Sequence, residues 1–163
     1  MKCLECGTVM ATRRGRHQYR QSGLSGVTLD GVEIRECPHC GAREVAIPRI
    51  EQLHHLIASH VIHQTASLSP AEVRFLRKYL GWSATDFAAR MRTTRETVSR
   101  WENGKTAMRP QADQLLRWMV ATLRPVEDYG IEGLLNLSTE RSRRTPHRFG
   151  VRLVRSTWAV VPA

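Results

Sequence analysis

The sequence has few acidic residues. Its 163 residues contain 15 Asp and Glu against 25 Lys and Arg, a formal net charge of +10. This excess of positive charge favours a polyanionic partner such as a nucleic acid or an anionic surface. Aromatic residues make up only 6% of the chain, as expected for modest cores. The length predicts one or two small domains, and we interpret it as two.

Long apolar runs are absent as well. The first residues, MKCLECG, lack the apolar region of a secretion signal. Nothing later approaches the roughly 18 uninterrupted apolar residues that a membrane-spanning helix needs. The sequence therefore predicts a cytoplasmic protein with no membrane partner.

The few cysteines form two C-x-x-C pairs. Cys3 and Cys6 lie in CLECG, and Cys37 and Cys40 lie in CPHCG. Such pairs in a chain without a secretion signal indicate metal binding rather than disulfides. The glycine after each pair permits the positive φ that lets backbone N–H groups approach sulfur, and four thiolates fill a tetrahedral shell. We therefore expect one structural Zn²⁺ ion.

Iron is the alternative metal. Rubredoxins hold iron between knuckles of the same type at a similar separation, which would make this region an electron carrier. Rubredoxin-like domains are acidic and rich in aromatics, whereas residues 7–36 contain Tyr19 as their only aromatic and several arginines. Zinc is therefore favoured. Because the metal site is filled by sulfur and the sequence has no paired-carboxylate, G-x-S-x-G or phosphate-loop motif, we expect no enzymatic activity.

The order of the predicted elements indicates an α+β chain. Alternating runs within the first 47 residues predict a small antiparallel sheet, with a hairpin signal at Asp30 and Gly31. A helical period in residues 48–64 predicts a connecting helix, and caps and glycines delimit four short helices after it. We expect a β zinc-ribbon-like domain in residues 1–66, an all-α helix-turn-helix domain in 67–129, and an extension in 130–163 that is partly disordered or dimerising.

The segment DFAARM, RTT, RETVSRW has the pattern of a helix, a tight turn and a second helix. In a helix-turn-helix the second helix enters the major groove, where its N-terminal residues meet base edges. With Val98 and Trp101 facing the core, the residues expected to read bases are Arg95, Glu96 and Arg100. An arginine fork fits O6 and N7 of guanine, and a glutamate accepts from N4 of cytosine.

Glu96 has two structural alternatives. It lies one helical turn before Arg100, so the two can form an ion pair, and it can complete a capping box with Thr93. A further group is expected to contact phosphates through hydroxyls, amides or a cation near helix starts and ends. Its members are Ser83, Thr85, Thr93, Thr94, Asn103 and Lys105.

Residues 71–110, with their TT and ENGKT signatures, resemble the lambdoid phage repressor and Cro type of helix-turn-helix, the XRE family. The resemblance implies core positions for Phe87, Ala88 and Met91. It also implies a partly buried ion pair between Arg77 and Glu102. Arg95, Glu96 and Arg100 fall on base-reading positions of the family, and Thr94 and Asn103 fall on phosphate-contacting ones. Ala84 departs from the family, which has glutamine there, so Ser83 and Thr85 are expected to replace that phosphate contact.

The cysteine knuckles followed by this helix-turn-helix are similar to the MqsA-type antitoxins, the YgiT-type zinc finger and helix-turn-helix group, over about residues 1–125. The resemblance implies a transcriptional repressor that is the antitoxin of a type II toxin–antitoxin pair, with the zinc domain binding a small ribonuclease toxin. One alternative is a stand-alone zinc-containing regulator. Another is an iron electron carrier fused to a DNA-binding domain.

A single short recognition helix reads only a few base pairs, so we expect a homodimer on a palindromic double-stranded DNA operator, with half-sites about 34 Å apart. Either the apolar helix predicted near 109–124 or the C-terminal strand would form its interface, unless these residues only complete the monomer core.

Two further polar groups are left open by the sequence. The arginines at 13, 14, 16 and 20 form either a second contact surface or a solvated loop. His60 and His63 share a helical face and are interpreted as polar surface rather than as a second metal site.

Overall fold

The computed structural model describes residues 1–124, 129–137 and 149–161. The chain is α+β, as the sequence predicts. It divides into two units. The first unit consists of Met1–Arg20, Ser25–Leu53 and the described part of Pro146–Ala163. The second unit consists of Gln21–Leu24 and the described part of His54–Thr145. Within the described ranges, no helix combines the length and the apolar character needed to cross a membrane.

The first unit is built on a sheet. Its strands are β1 (Ala11–Gln18), β2 (Val27–Glu36), β3 (Arg43–Ala46), β4 (Phe149–Val154) and β5 (Thr157–Val161). β2 pairs antiparallel with β1 and β3, which confirms the antiparallel sheet predicted between the cysteine pairs. β2 also pairs parallel with β4, and β4 pairs antiparallel with β5, so the sheet includes strands from near the end of the chain.

The hairpin turn expected from Asp30 and Gly31 is wrong. Both residues lie inside β2, and Gly31 has a φ of 76°. Across this point the pairing with β1 moves from Val32 to Leu29 on β2 but only from Gly15 to His17 on β1. β2 therefore carries one extra residue, a β-bulge. A glycine with positive φ after an aspartate occurs in β-bulges as well as in hairpin turns, so the Asp-Gly dipeptide alone does not distinguish the two.

The arginines expected in a loop lie mostly on a strand. Arg13, Arg14 and Arg16 are exposed residues of β1, and Arg20 begins a short 3-10 turn, Arg20–Ser22. β1 pairs with β2 along one edge. Whether these cations form a second contact surface stays a prediction.

The weakly alternating segment 149–161 forms two strands rather than one. Arg155 and Ser156, both with positive φ, make the turn between β4 and β5. Trp158 is buried, and its indole N–H donates to the carbonyl of Pro48 at 2.8 Å. The rest of the core of this unit is aliphatic or aromatic and includes Val27, Leu29, Val32, Ile34, Leu53, Phe149 and Val151.

The predicted disorder or dimer contact of residues 130–163 falls partly on 138–148 and 162–163, which lie outside the described residues. The three-part division of the chain at 66 and 129 likewise stays a prediction.

The second unit is helical. Its elements are α2 (Pro70–Tyr79), α3 (Ala84–Arg90), α4 (Arg95–Glu102), α5 (Pro110–Leu123) and α6 (Ile131–Leu135), together with His54 onward of α1 (Ile50–His63). Capping boxes start two of them, because Ser69 and Glu72 cap α2 reciprocally and Ser83 and Asp86 cap α3 in the same way. The core of α2 to α5 contains Leu76, Phe87, Ala88, Val98, Trp101, Leu116 and Val120.

A buried ion pair fixes the segment between α1 and α2. Arg117 on α5 is fully buried, and its Nε donates to Oδ1 of Asp113 at 2.5 Å. The other carboxylate oxygen of Asp113 accepts the backbone N–H of Leu68 at 2.7 Å. The guanidinium also donates to backbone carbonyls at and after the end of α1, those of Ile62, Gln64 and Ala66. The bond to Ile62 satisfies a carbonyl that the end of α1 leaves without an intrahelical partner, and the other two hold the segment that follows.

Three histidines of α1 pack against aromatic rings. His55 Nδ1 lies 2.8 Å from the hydroxyl of Tyr79, and the ring of His63 meets Tyr129 edge-on at 5.1 Å. Burial lowers the pKa of His54, whose ring packs edge-on against Phe75. Within the described residues, three or more metal-ligating side chains come together only at the four cysteines.

Candidate nucleic-acid interface and metal centre

A tight turn joins α3 to α4. α3 ends at Arg90 with Met91 as its C-cap, Arg92 has a positive φ of 52°, and the N–H of Thr93 donates to the carbonyl of Ala88 at 2.9 Å. Thr94 is the N-cap of α4, because its hydroxyl accepts the N–H of Thr97 at 3.2 Å. Two short helices in such an arrangement are the geometry of a helix-turn-helix.

α4 has one buried face and one exposed face. Val98 is fully buried, and Trp101 packs edge-on against Phe87 of α3 with ring centroids 6.4 Å apart. On the other side Arg95, Glu96 and Arg100 are exposed, as the sequence analysis expects for residues that read bases. The aromatic contact fixes the rotation of α4, and the rotation determines which side chains are exposed.

Glu96 is exposed and charged. Hydrogen bonds to its own backbone N–H and to the hydroxyl of Thr94 hold the pKa of Glu96 below its usual value, and Arg95 and Arg100 lower it further. The capping box considered for Glu96 with Thr93 is wrong, because Thr94 rather than Thr93 caps the helix. The carboxylate is therefore an exposed acceptor, and its role toward a base stays a prediction.

The residues expected to contact phosphates differ in what they already bind. The hydroxyl of Ser83 donates to Asp86 Oδ2 at 2.6 Å, and this bond, with that from the backbone N–H of Ser83, lowers the pKa of Asp86. The same hydroxyl accepts the N–H of Asp86 at 3.1 Å. Asn103 folds back, and its Nδ2 donates to the carbonyl of Ser99 at 2.8 Å. Thr85 and Lys105 are exposed, and Thr93 is half-buried.

The ion pair expected between Arg77 and Glu102 is present. Nε of Arg77 lies 2.5 Å from Oε1 of Glu102, and Nη2 lies 3.1 Å from Oε2. Arg77 Nη1 also donates to the carbonyl of Trp82 at 2.8 Å, so one guanidinium joins α2, the end of α4 and the turn before α3. Arg74 binds the same carboxylate, with Nε 3.3 Å from Oε2.

Arg74 is a residue of this site that was missed from the sequence. A signal was available, because it lies one helical turn before Arg77 and so shares its face of α2. In an arginine-rich helix, that spacing did not distinguish Arg74 from a solvated cation.

The four cysteines come together in the first unit. The Sγ–Sγ distances are 3.5 Å for Cys3–Cys40, 3.4 Å for Cys6–Cys37 and 3.6 Å for Cys6–Cys40, and all four sulfurs lie within 4.8 Å of one another. Disulfide sulfurs would be about 2 Å apart. A tetrahedron with Zn–S bonds of about 2.3 Å has edges of about 3.8 Å. The quartet therefore fits a single tetrahedral ion.

Both knuckles have the same backbone geometry. The N–H of Gly7 donates to the carbonyl of Cys3 at 2.9 Å, and the N–H of Gly41 donates to that of Cys37 at 3.0 Å. The two glycines have φ of 74° and 72°, in the left-handed region where glycine carries no penalty. Each knuckle thus turns its two thiols toward the same point.

The electrostatics of the quartet also favour a cation. Contacts with the hydroxyl and the backbone of Thr8 lower the pKa of Cys6 to about 6. At Cys40 the backbone N–H of Ala42 lowers the pKa, but the neighbouring sulfurs outweigh it and the net pKa rises to about 12. Four thiols this close together do not all ionise by themselves, whereas a divalent ion stabilises four thiolates at once.

A metal in this quartet would have a closed shell. All four ligands are sulfur, so no position is left for a reactive water, which is the arrangement of structural sites. The buried pair, Cys3 and Cys37, packs with Met10 and Ala42 in a small core beneath the quartet. Four sulfurs suit zinc and iron alike, so the geometry does not by itself identify the metal.

A family model described as Helix-turn-helix matches residues 73–116, which span most of α2, all of α3 and α4, and the first half of α5. No curated protein and no solved structure matches the chain. Residues 73–116 are thus similar to a DNA-binding helix-turn-helix of the XRE type, and the chain combines this segment with a cluster of cysteines suited to a metal ion.

Proposed function

We propose that the protein is a transcriptional repressor that binds double-stranded DNA in a sequence-specific manner through α4. The observation that carries the proposal is the two-sided α4. Val98 and Trp101 anchor one face, while Arg95 and Arg100 project from the other. Arginine is the side chain that best matches the two major-groove acceptors of guanine.

The charge of the chain supports the same proposal. A formal net charge of +10 attracts a polyanion from a distance. The exposed hydroxyl of Thr85 on α3 and the exposed Lys105 after α4 are suited to phosphate oxygens. Contacts of this kind set the register of the helix, and the two arginines of α4 would then provide the specificity.

We propose a homodimer on a palindromic operator, because one recognition helix reads too few base pairs for useful specificity. Apolar residues exposed on α5 support an interface there. Leu115 is 39% exposed, Trp118 is 45% exposed and Leu123 is 58% exposed. The apolar edge strand β5 is the alternative interface.

Zinc is the metal that we propose for the cysteine quartet, and its role would be structural. The residues that would hold it are Cys3, Cys6, Cys37 and Cys40, which lie before β1 and in the connection between β2 and β3. A bound ion would supply a covalent-like link between these two segments. We propose no catalytic role for the ion or for the chain.

An antitoxin role is the finer part of the proposal. The order of a cysteine cluster followed by a helix-turn-helix supports it, and so do apolar side chains at the first knuckle. Leu4 is 86% exposed and Val9 is 66% exposed. Exposed apolar residues five positions apart in the chain favour a protein partner, here a small ribonuclease toxin bound to the first unit. A stand-alone regulator without a toxin is the second candidate, since α4 by itself explains DNA binding.

DNA binding is tested by selection. The full-length protein is incubated with a randomised pool of DNA duplexes, and the bound fraction is amplified and sequenced. We expect enrichment of a palindrome with half-sites about one helical turn apart, and an affinity that falls steeply with salt. Equal recovery of all sequences would contradict sequence-specific binding.

The antitoxin role requires a separate experiment. Each small open reading frame next to the gene is expressed alone and together with this protein. The proposal expects one frame to arrest growth alone, and to be neutralised by the wild-type chain but less by a Leu4→Ser variant. If no neighbouring frame arrests growth, the stand-alone regulator is the correct account.

A further inference from the structure

The end of α4 is held by a second guanidinium. Arg77 already provides the carboxylate of Glu102 with two hydrogen bonds, and the side chain of Glu102 is only 7% exposed. Arg74 adds one weaker contact to this carboxylate, at 3.3 Å. Neutralising Glu102 therefore does not require Arg74, and its remaining contacts indicate what else it does.

Those contacts are made at the end of the recognition helix. Nη2 of Arg74 donates to the backbone carbonyl of Glu102 at 3.2 Å and to the side-chain oxygen of Asn103 at 3.1 Å. The carbonyl is one of those that a helix end leaves without an intrahelical partner, and a cation is favoured there by the helix dipole.

Arg74 also determines which way the amide of Asn103 faces. With Oδ1 accepting from Arg74, Nδ2 is directed to the carbonyl of Ser99 at 2.8 Å and to its hydroxyl at 3.2 Å. An amide held at both ends has one orientation. The Arg74 fork thus fixes the first residue after α4, immediately before the Gly104 and Lys105 turn.

We propose that Arg74 is a positioning residue for DNA binding, which acts through Asn103 to hold the turn that carries the exposed Lys105 where its ammonium group meets a backbone phosphate. The inference rests on the proposed function, because Lys105 is expected to contact phosphate. It assigns to Arg74 a function separate from the Arg77–Glu102 pair. A side chain that acts through Asn103 has no effect on DNA once Asn103 is removed.

A double-mutant cycle tests this. The affinities of the full-length wild type, Arg74→Ala, Asn103→Ala and the double variant are measured on the duplex that the wild type selects from a random pool, at temperatures where all four are folded by circular dichroism. We expect about tenfold weaker binding for each single variant, and no more than about twofold further loss in the double variant.

Two further variants separate charge from geometry. Arg74→Lys keeps the charge but lacks the planar fork. Its loss of binding free energy should therefore be at least half of that caused by Arg74→Ala. Lys78→Ala is the control, because it removes another cation from α2. Combined with Asn103→Ala, it should give a loss of binding free energy equal to the sum of the two single losses. If Arg74→Ala is too unstable to assay, Arg74→Lys and its double variant with Asn103→Ala complete the same cycle.

The possible outcomes are distinct. If the fold loss of affinity in the double variant equals the product of the two single losses, Arg74 contacts DNA by itself. That result would overturn the inference. An unchanged affinity in Arg74→Ala would show that Arg74 supports only the fold, and would overturn it as well. A wild type that selects no duplex would contradict the proposed function itself, before Arg74 is tested.

Discussion

The guanidinium of Arg77 on α2 binds both carboxylate oxygens of Glu102 at the end of α4, at 2.5 and 3.1 Å, and the two side chains are 12% and 7% exposed. This pair connects a helix of the scaffold to the helix proposed to read DNA. Because both side chains are nearly buried, removing one partner leaves the other as an uncompensated buried charge and destabilises the fold.

Loss of the carboxylate should therefore destabilise the helical unit more than loss of Arg77. Glu102→Met leaves two guanidinium groups without their acceptor and should cost about 3–5 kcal/mol of the free energy of unfolding. Arg77→Met leaves the carboxylate with Arg74 and should cost less. Urea unfolding followed by circular dichroism measures both values. A larger loss for Arg77→Met would show that its bond to the carbonyl of Trp82 is the more important contact.

Removal of Arg117 should have an effect of similar size. This side chain is fully buried and satisfies three backbone carbonyls as well as Asp113. Arg117→Met removes the cation that pairs with the buried Asp113 carboxylate and one donor from each carbonyl, and should cost about 3–5 kcal/mol. Arg109→Met, at an exposed arginine just before α5, is the matched control and should change stability by less than about 0.5 kcal/mol. Equal effects of the two variants in urea unfolding would contradict this account.

Metal analysis tests the cysteine quartet. We expect about one zinc per chain, no visible colour, and loss of the metal in Cys37→Ser. A chelator should lower the melting temperature of the wild type but not that of Cys37→Ser. Visible absorption with one iron per chain would favour the electron-carrier alternative, and metal-free wild type would contradict both.

The sheet should lose stability in acid through Asp30. Hydrogen bonding to Arg152, 2.7 Å away on β4, lowers the pKa of Asp30 below its ordinary value of 3.8. A carboxylate with a lowered pKa stabilises the fold above its ordinary pKa, and this contribution is lost as the pH falls through the lowered pKa. Asp30→Asn should therefore be less stable than wild type near pH 6, and the difference should shrink below about pH 3.8. A constant difference in urea unfolding across this range would contradict the assignment.

Much of the helical unit could be predicted from local sequence. Ser69 with Glu72, and Ser83 with Asp86, specify where α2 and α3 begin because a capping box satisfies two backbone donors within four residues. The cysteine pairs likewise specify their own knuckles. In each case the physical cause lies within a few residues of the chain.

Contacts between distant segments could not be predicted in this way. β4 pairs parallel with β2, so that Val27 lies beside Phe149, and no local pattern encodes that register. Arg117 was not recognised because arginine is almost never fully buried unless its partners surround it, and its carbonyl partners are distant in sequence. The missed residue Arg74 also depends on a long-range contact, with Asn103.

The most direct test of DNA reading by α4 compares Arg100→Ala with Lys105→Ala on the selected duplex and on variants that change one base pair at a time. We expect Arg100→Ala to cost about 1–3 kcal/mol on the selected duplex and to remove discrimination at one base pair. Lys105→Ala should weaken binding to all duplexes alike and reduce the salt dependence. If Arg100→Ala also weakens every duplex equally, Arg100 contacts only phosphate, and the account of how this chain recognises sequence is contradicted.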